Sequence, residues 1–317
     1  MPLVADQYGA LMTSVARMYY LDGLGQSEIA NICGISRSTV SRLLTTARGK
    51  GIVRISVDEF DPRDRDLQRQ LIDRFGLRNA VVVRAMGTTP TSIRRAVGYF
   101  AAPYVAEWIA GQHLVGVAGG RTLAELVHHI EPRTRGTGST FVQLMGAIGS
   151  SPGRIDASEQ SRTLAKRFQG SFLTLNSPAF AQSQRARDLF LSHAEIQAVW
   201  SRFNTIGLAL VGLGTLEESA FFDRGVLDPA AYADVRAAGA VGEICGRFFD
   251  ERGRECDSDF RDRVISVDLD ILRECADVAA VLSGPSRGRA MRAAINGNIV
   301  KSIVADQAGA LSLLNAH

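Results

Sequence analysis

The chain has 317 residues, 46% of them hydrophobic and 22% charged, with a formal net charge of +3, which fits a folded two-domain protein and argues against a disordered or fibrous one. No apolar run approaches the roughly 20 residues needed to cross a bilayer, and the opening MPLVADQYGA lacks the profile of a secretion signal, so a cytoplasmic protein with no membrane partner is expected. Cys33, Cys245, Cys256 and Cys275 form no C-x-x-C pair and the five histidines fall in no metal-ligand spacing, so no metal, disulfide framework or cofactor is expected.

The first element with a periodic apolar stripe carries Leu11, Val15, Met18 and Tyr19 and predicts a helix. Gln26 to Leu43, QSEIANICGISRSTVSRL, then fits a helix-turn-helix. Ala30 falls where only a small side chain lets two helices touch, and Gly34 sits at the turn, where a left-handed backbone needs glycine. Ile29, Ile35, Val40 and Leu43 have the spacing of buried stripes, and Ser36 is a good N-cap for the second helix. The outward residues of this segment are Gln26, Ser36, Arg37, Ser38, Thr39, Ser41, Arg42 and Thr45, hydroxyls, an amide and arginines suited to phosphates or base edges in a major groove.

Ile52 to Val57 alternates apolar and polar residues after Arg48-Gly49-Lys50-Gly51, which predicts a strand and hence a winged variant, with Lys50 and Arg54 carried toward the DNA backbone. Residues 1–56 hold six Lys/Arg and three Asp/Glu. The whole positive excess therefore lies in this segment, as phosphate neutralisation requires. DEFDPRDR (58–65) breaks the pattern, so the domains are read as 1–57 and 58–317. Asp61 and Pro62 are expected to start a helix whose apolar face is Leu67, Leu71, Ile72 and Phe75.

From Ala80 onward short β-branched runs alternate with helical segments: AVVV, LVGVAGG, FVQLMGAIG, Ile206 to Leu213, DVAAVLSG and SIVAD. This predicts a doubly wound parallel sheet with helices on both faces, binding ligands beyond the carboxyl ends of its strands. Three such ends are glycine turns: Gly119-Gly120-Arg121-Thr122, Gly146 to Ser150, and Gly212-Leu213-Gly214-Thr215. A fourth, Ser283 to Arg289, adds Arg287 and Arg289. Bare amides at helix starts and guanidinium groups both favour anions.

VARMYYLDGLGQSEIANICGISRSTVSRLLTTARGKGIVRI resembles the N-terminal domain of the SorC family of sugar-responsive bacterial transcriptional regulators. The blocks GVAGGRTLAELV, ALVGLGT, GAVGEICGRFFDERG and AMRAAINGNIVKSIVADQAGALSLL resemble that family's effector domain in order. The resemblance implies a domain related to sugar-phosphate isomerases and deaminases, assembled as a homo-oligomer, usually a tetramer, with a phosphorylated sugar at the strand ends. It also implies that Gly119, Gly120, Arg121, Thr122, the Gly146 loop, Gly212 and Gly214 line the pocket, that Glu243 stands where the family more often has Asp and receives sugar hydroxyls, and that Phe249 and Asp250 close the same block. Where the family commonly has a lysine this chain has Arg287, one departure in a sequence with three lysines. An arginine forms no Schiff base but can hold a phosphate.

The expected function is thus a regulator whose grip on double-stranded operator DNA is set by a sugar or sugar-phosphate effector, by default repression relieved by ligand. The alternative is a sugar-phosphate isomerase or deaminase-like enzyme carrying a DNA-binding head, because fold alone does not fix function. No Asp/His pair with evident catalytic spacing lies near a glycine turn, so no catalytic residue is assigned and a non-enzyme is expected.

Overall fold

Short β-branched runs between amphipathic helices make strands that are apolar on both faces, and both faces are covered. The computed structural model describes residues 5–58, 60–84, 87–132, 138–149 and 153–316. The opening residues 1–4, Glu59 in the linker and Ser150 at the end of the Gly146 loop fall outside them. The chain divides into two compact units, residues 1–61 and 62–317, against the 57/58 boundary read from the sequence.

The first unit is three helices, α1 (Ala5–Tyr20), α2 (Gln26–Cys33) and α3 (Arg37–Gly49). Their shared core is Met12, Val15, Ala16, Ile29, Ala30, Val40, Leu43, Leu44 and Ala47. The stripe of α1 therefore runs through Met12 and Ala16, while Tyr19 faces solvent. Gly34 closes α2 at φ 63° in the left-handed region, and the Ser36 hydroxyl accepts the Thr39 amide at 3.1 Å to cap α3. The expected wing is not formed. Residues 52–57 adopt no strand among the described residues, and Ile55 and Val57 are 61% and 83% exposed. Alternation suits a strand, but a strand needs a neighbour to take its hydrogen bonds, and none of the described residues of this unit supplies one. Lys50 caps the end of α3, and Arg54 accordingly sits on an irregular segment.

The second unit starts with α4 (Arg65–Phe75), capped by Asp64, whose carboxylate accepts the Leu67 amide at 3.0 Å. The helix thus begins after Asp61 and Pro62. It continues through β1 (Asn79–Val83), α5 (Pro90–Ile109), β2 (Leu114–Val117), α6 (Arg121–His129), β3 (Thr140–Gln143), α7 (Ala157–Phe168), β4 (Ser171–Leu173), α8 (Gln184–Ser192) and α9 (Ala194–Trp200). Then follow β5 (Leu208–Gly212), α10 (Ala220–Asp223), α11 (Pro229–Ala237), β6 (Gly242–Ile244), β7 (Arg247–Phe249), α12 (Leu269–Glu274), β8 (Asp277–Val281), α13 (Gly288–Asn296), β9 (Ser302–Asp306) and α14 (Gln307–Asn315).

Seven strands form one parallel sheet in the order β1-β9-β8-β5-β2-β3-β4. Side chains alternate across it. Leu208 and Leu210 of β5 join a core with Val97, Ala101 and Val105 of α5 and Leu123 and Leu126 of α6, while Ala209 and Val211 join Leu67 and Leu71 of α4, Met291 of α13 and Leu313 of α14. The sheet is doubly wound. From β2 the chain proceeds outward to β3 and β4, whereas from β5 it proceeds the other way to β8 and β9, so β2 and β5 are the neighbours at which the winding reverses. Crevices open at such switch points. Between β5 and β8 a hairpin of β6 and β7 turns at Cys245 and Gly246, both at positive φ, as a type I′ turn requires.

Helices α5 and α6 cross at Gly98, where a Cβ would lie 2.5 Å from the backbone carbonyl carbon of Glu125. Alanine normally favours a helix over glycine by roughly 0.8–1.0 kcal/mol, but here overpacking dominates. Gly98→Ala is expected to destabilise the unit by about 1–3 kcal/mol in urea denaturation, whereas Gly9→Ala on α1, with open space around it, should be neutral or stabilising. A Gly98→Ala midpoint equal to the parent's would show that the helices part freely.

Candidate effector cleft and DNA-contacting face

At the switch point the backbones of β2 and β5 come together without side chains between them. A Cβ on Gly212 would sit 2.8 Å from the Gly119 carbonyl oxygen, and Gly120 adopts φ 149°, so glycine is required on both sides. Above this floor lies a cavity of about 160 Å³. A single water needs roughly 10–15 Å³ of such space, so the cavity suits a small sugar derivative.

All four strand-end loops reach it. Gly119, Gly120, Arg121 and Thr122 after β2, Gly146 and Ile148 after β3, Gly212, Leu213 and Gly214 after β5, and Arg287 after β8 line the cleft. The first turn of α6, whose amides a helix leaves without intrahelical acceptors, belongs to these lining residues. Gly146 is needed for packing, since a Cβ there would meet the Pro178 carbonyl oxygen at 2.2 Å. Thr122 is buried, its hydroxyl 3.2 Å from that of Ser283, which ties the β2 and β8 loops together.

Glu243 is brought in by the hairpin, through paired backbone hydrogen bonds with Gly214, both 3.0 Å. Its carboxylate accepts the Gly246 amide at 2.7 Å. It borders the cleft but is otherwise enclosed, and burial pushes its carboxyl above the usual range, opposed by the hydrogen bonds from Gly246 and Ser219. Two residues expected beside it are not in the cleft. Phe249 is fully buried, with its ring against Gly242 in the core, and Asp250 accepts the amides of Arg252 and Arg254 and the Arg254 guanidinium, which closes the turn after β7. For Phe249 the physical reason is strand alternation, since it pairs with Gly242 and so lies on the face of the hairpin opposite Glu243. Arg289 also leaves the site, pairing with Glu251 at the surface.

The lining includes residues that the glycine turns did not point to: Arg94 from α5, Asp156 at the start of α7, and Glu218, Asp223 and Arg224 from the segment after β5. Arg224 donates to Asp156 at 2.7 Å and to the Ile148 carbonyl at 2.9 Å. Arg287 donates to the carbonyls of Leu213 at 3.0 Å and Ser283 at 2.6 Å and pairs with Glu218. Burial lowers the Arg287 pKa, Glu218 opposes this, and Arg121 and Arg94 add to it. A strand followed by the capped start Thr89-Pro90 and then Arg94-Arg95 was a visible signal for Arg94, but β1 lies at the edge of the sheet and nothing local says that α5 reaches the centre.

On the head, Arg37, Ser38, Ser41, Arg42, Thr45 and Lys50 are exposed along α3 and its end, and Gln26 is partly exposed at the start of α2. Thr39 turns its hydroxyl to Ser36, 2.8 Å away, and Thr45 donates to the Ser41 carbonyl at 3.0 Å, so the arginines are the outward-reaching groups. Among the described residues no cluster of three or more His, Cys, Asp or Glu could hold a metal ion, and no helix is long and apolar enough to cross a membrane.

A helix-turn-helix head joined to an α/β unit with a small-ligand cleft at its switch point defines a ligand-responsive transcriptional regulator. Residues 62–315 match the family described as "Putative sugar-binding domain", and residues 13–50 match Sigma-70, region 4, a helix-turn-helix. The chain belongs to the SorC family of sugar-responsive transcriptional regulators. It is 30% identical over 307 residues to the deoxyribonucleoside regulator of Bacillus subtilis, covering 96% of this chain and 97% of that one. It is 26% identical to the sorbitol operon regulator of Klebsiella pneumoniae, covering 96% and 97%. The crystal structure of the full-length Klebsiella regulator superposes with a TM-score of 0.77 at 25% identity, covering 96% of this chain and 98% of that one. The chain is accordingly a DNA-binding regulator with a sugar-binding domain, and the relatives it matches are regulators rather than enzymes.

The raised carboxyl of Glu243 gives the domain a definite pH response. Because the folded pKa lies above the unfolded one, the folded state binds the extra proton between the two values, so stability is present at low pH and is lost as pH rises through the folded pKa. Glu243→Gln is expected to melt higher than the parent at pH 8, with the difference closing as pH falls toward the ordinary carboxyl range. Parallel melting curves for the two proteins across pH 5–8 would show that Glu243 stays ionised in the fold.

Proposed function

We propose that the effector is a phosphorylated sugar, and that its binding in the cleft relieves repression by weakening the head's hold on operator DNA. The observation that carries this reading is the convergence of four arginines, Arg94, Arg121, Arg224 and Arg287, on a sugar-sized cavity at the carboxyl ends of parallel strands, where the start of α6 also favours an anion. Relatives named for sorbitol and deoxyribonucleoside operons support a sugar skeleton. Glu243 is the acceptor for a sugar hydroxyl, with the glycine turns giving backbone contacts.

The protein binds without turning its ligand over. Among the described lining residues there is no histidine and no lysine, which deprives the cleft of the commonest general base and of an amine for Schiff-base chemistry. It acts in the cytoplasm as a homo-oligomer, a tetramer by family resemblance, which presents paired heads to two half-sites. Gln26, Ser36, Arg37, Ser38, Thr39, Ser41, Arg42 and Thr45 form the DNA face, with Lys50 and Arg54 beside it on phosphates. Ligand control requires only that the effector favour one arrangement of the oligomer over another.

Two measurements test these assignments. Thermal shift with a panel of aldose and ketose phosphates and their free sugars should single out a phosphorylated member, since a ligand at ~100 times its dissociation constant adds about 2.7 kcal/mol. Stabilisation by free sugars alone would reject the phosphate. Gel shifts should show Arg37→Ala or Arg42→Ala weakening operator binding by roughly 1–3 kcal/mol with relaxed specificity if the side chain reads a base. A uniform loss across sequences with a flatter salt slope is expected if it holds a phosphate. Full affinity in both variants would move the DNA face away from α3.

A further inference from the structure

The four arginines of the cleft are not equivalent. Arg224 is committed to Asp156 and the Ile148 carbonyl, and Arg287 to Glu218 and the carbonyls of Leu213 and Ser283. Glu218 also accepts the Ser286 hydroxyl at 3.0 Å, so a carboxylate of the chain itself already occupies the loop at the start of α13. Arg121 approaches Asp223 only at 3.9 Å, with both side chains about half exposed. Arg94 donates to the Thr91 hydroxyl at 3.0 Å and has no carboxylate partner among the described residues.

Arg94 is also placed where its charge is least welcome. Helix α5 has no acidic residue in its first turn, so the positive end of the helix adds to the field of Arg94 and Arg95. Arg94 and Arg121 both lie close enough to Arg287 to oppose its charge. These three guanidinium groups all line the cavity, and of these only Arg287 has a close carboxylate. A dianion entering there removes this repulsion and gains forked hydrogen bonds. A neutral sugar does neither.

We propose that Arg94 is the specificity-determining residue of the cleft, selecting a doubly charged phosphate group with Arg121 as its second arm, while Arg287 is framework. This rests on the reading of the cleft as a sugar-phosphate site, and it moves the discriminating contact from the β8 loop to α5. The singly charged carboxylate of a sugar acid is discriminated against, because it compensates only one of the two guanidinium charges, Arg94 and Arg121, that lack a close carboxylate.

The test is calorimetric titration of the full chain with inorganic phosphate at fixed ionic strength, comparing the parent with Arg94→Ala, Arg94→Lys and Arg95→Ala, the last being the exposed neighbour outside the cleft. Arg94→Ala should weaken phosphate binding roughly ten-fold or more, the loss expected of a charged hydrogen bond. Arg94→Lys should recover part of it and Arg95→Ala none of the loss should share. Arg94→Gln gives the same comparison if Arg94→Ala does not fold by circular dichroism. Equal phosphate affinity in parent and Arg94→Ala, or an equal loss in Arg95→Ala, overturns the assignment while the sugar-phosphate reading stands if the panel still stabilises the parent. A parent that binds neither phosphate nor any sugar phosphate overturns both.

Discussion

The arrangement of the second unit depends on one close approach, the contact of bare backbone between Gly119-Gly120 and Gly212. Two parallel strands can diverge in opposite directions at their ends only if nothing fills the space between the departing loops, and a Cβ on Gly212 would fall 2.8 Å from the Gly119 oxygen. The floor of the cleft is therefore peptide, and its character is set by the loops that surround it. With α6 beginning immediately after Gly120, the first helical turn is delivered to the cavity edge, where its unpaired amides and dipole favour negative charge.

The charge pattern of the walls follows from the cost of burying a cation without a partner. Arg224 and Arg287 are more enclosed than Arg121, and each has a carboxylate and at least one backbone carbonyl. Arg121, about half exposed, has a loose partner, and Arg94 has no carboxylate partner among the described residues. At the opposite ends of the same strands the polar groups are spent on structure. Lys301 donates to the carbonyls of Leu272, Arg273 and Cys275, and Asp277 accepts from Ser302 and Asn79. That end has lysine, carboxylate and thiol together, yet it closes the core. The end with glycines encloses a cavity.

The hairpin β6-β7 gives the cleft its remaining wall. Its turn residue Cys245 lines the cavity, but burial and the neighbouring Glu243 push the thiol pKa up, so it contributes shape and not nucleophilicity. Burial likewise holds Cys256 up, to about 11. The buried cysteines act as small apolar residues, and the carboxyl of Glu243 at the cleft border is raised by its burial.

Local chemistry made much of this legible in the chain. Ala30, Gly34 and the Ser36 cap specify a helix-turn-helix because small-residue contact, left-handed turn and side-chain cap are each decided within a few residues. The runs AVVV, DVAAVLSG and SIVAD specify buried parallel strands because apolar side chains on both faces demand cover on both. The glycine turns marked where those strands end. What the sequence could not determine is whatever needs a partner distant in the chain. Ile52 to Val57 has strand alternation but no pairing neighbour among the described residues, and it forms no strand there. Phe249 stands in a cleft hairpin yet points to the face opposite Glu243, and Asp250 is used up in the turn that follows. Arg94 belongs to a helix after an edge strand and reaches the cavity only through the packing of α5 on α6, and Arg287 is tied to Glu218, 69 residues earlier. Turns and caps are short-range choices of backbone and side chain. The pairing of charges across a cleft is decided by which loops the tertiary fold brings within a few ångströms.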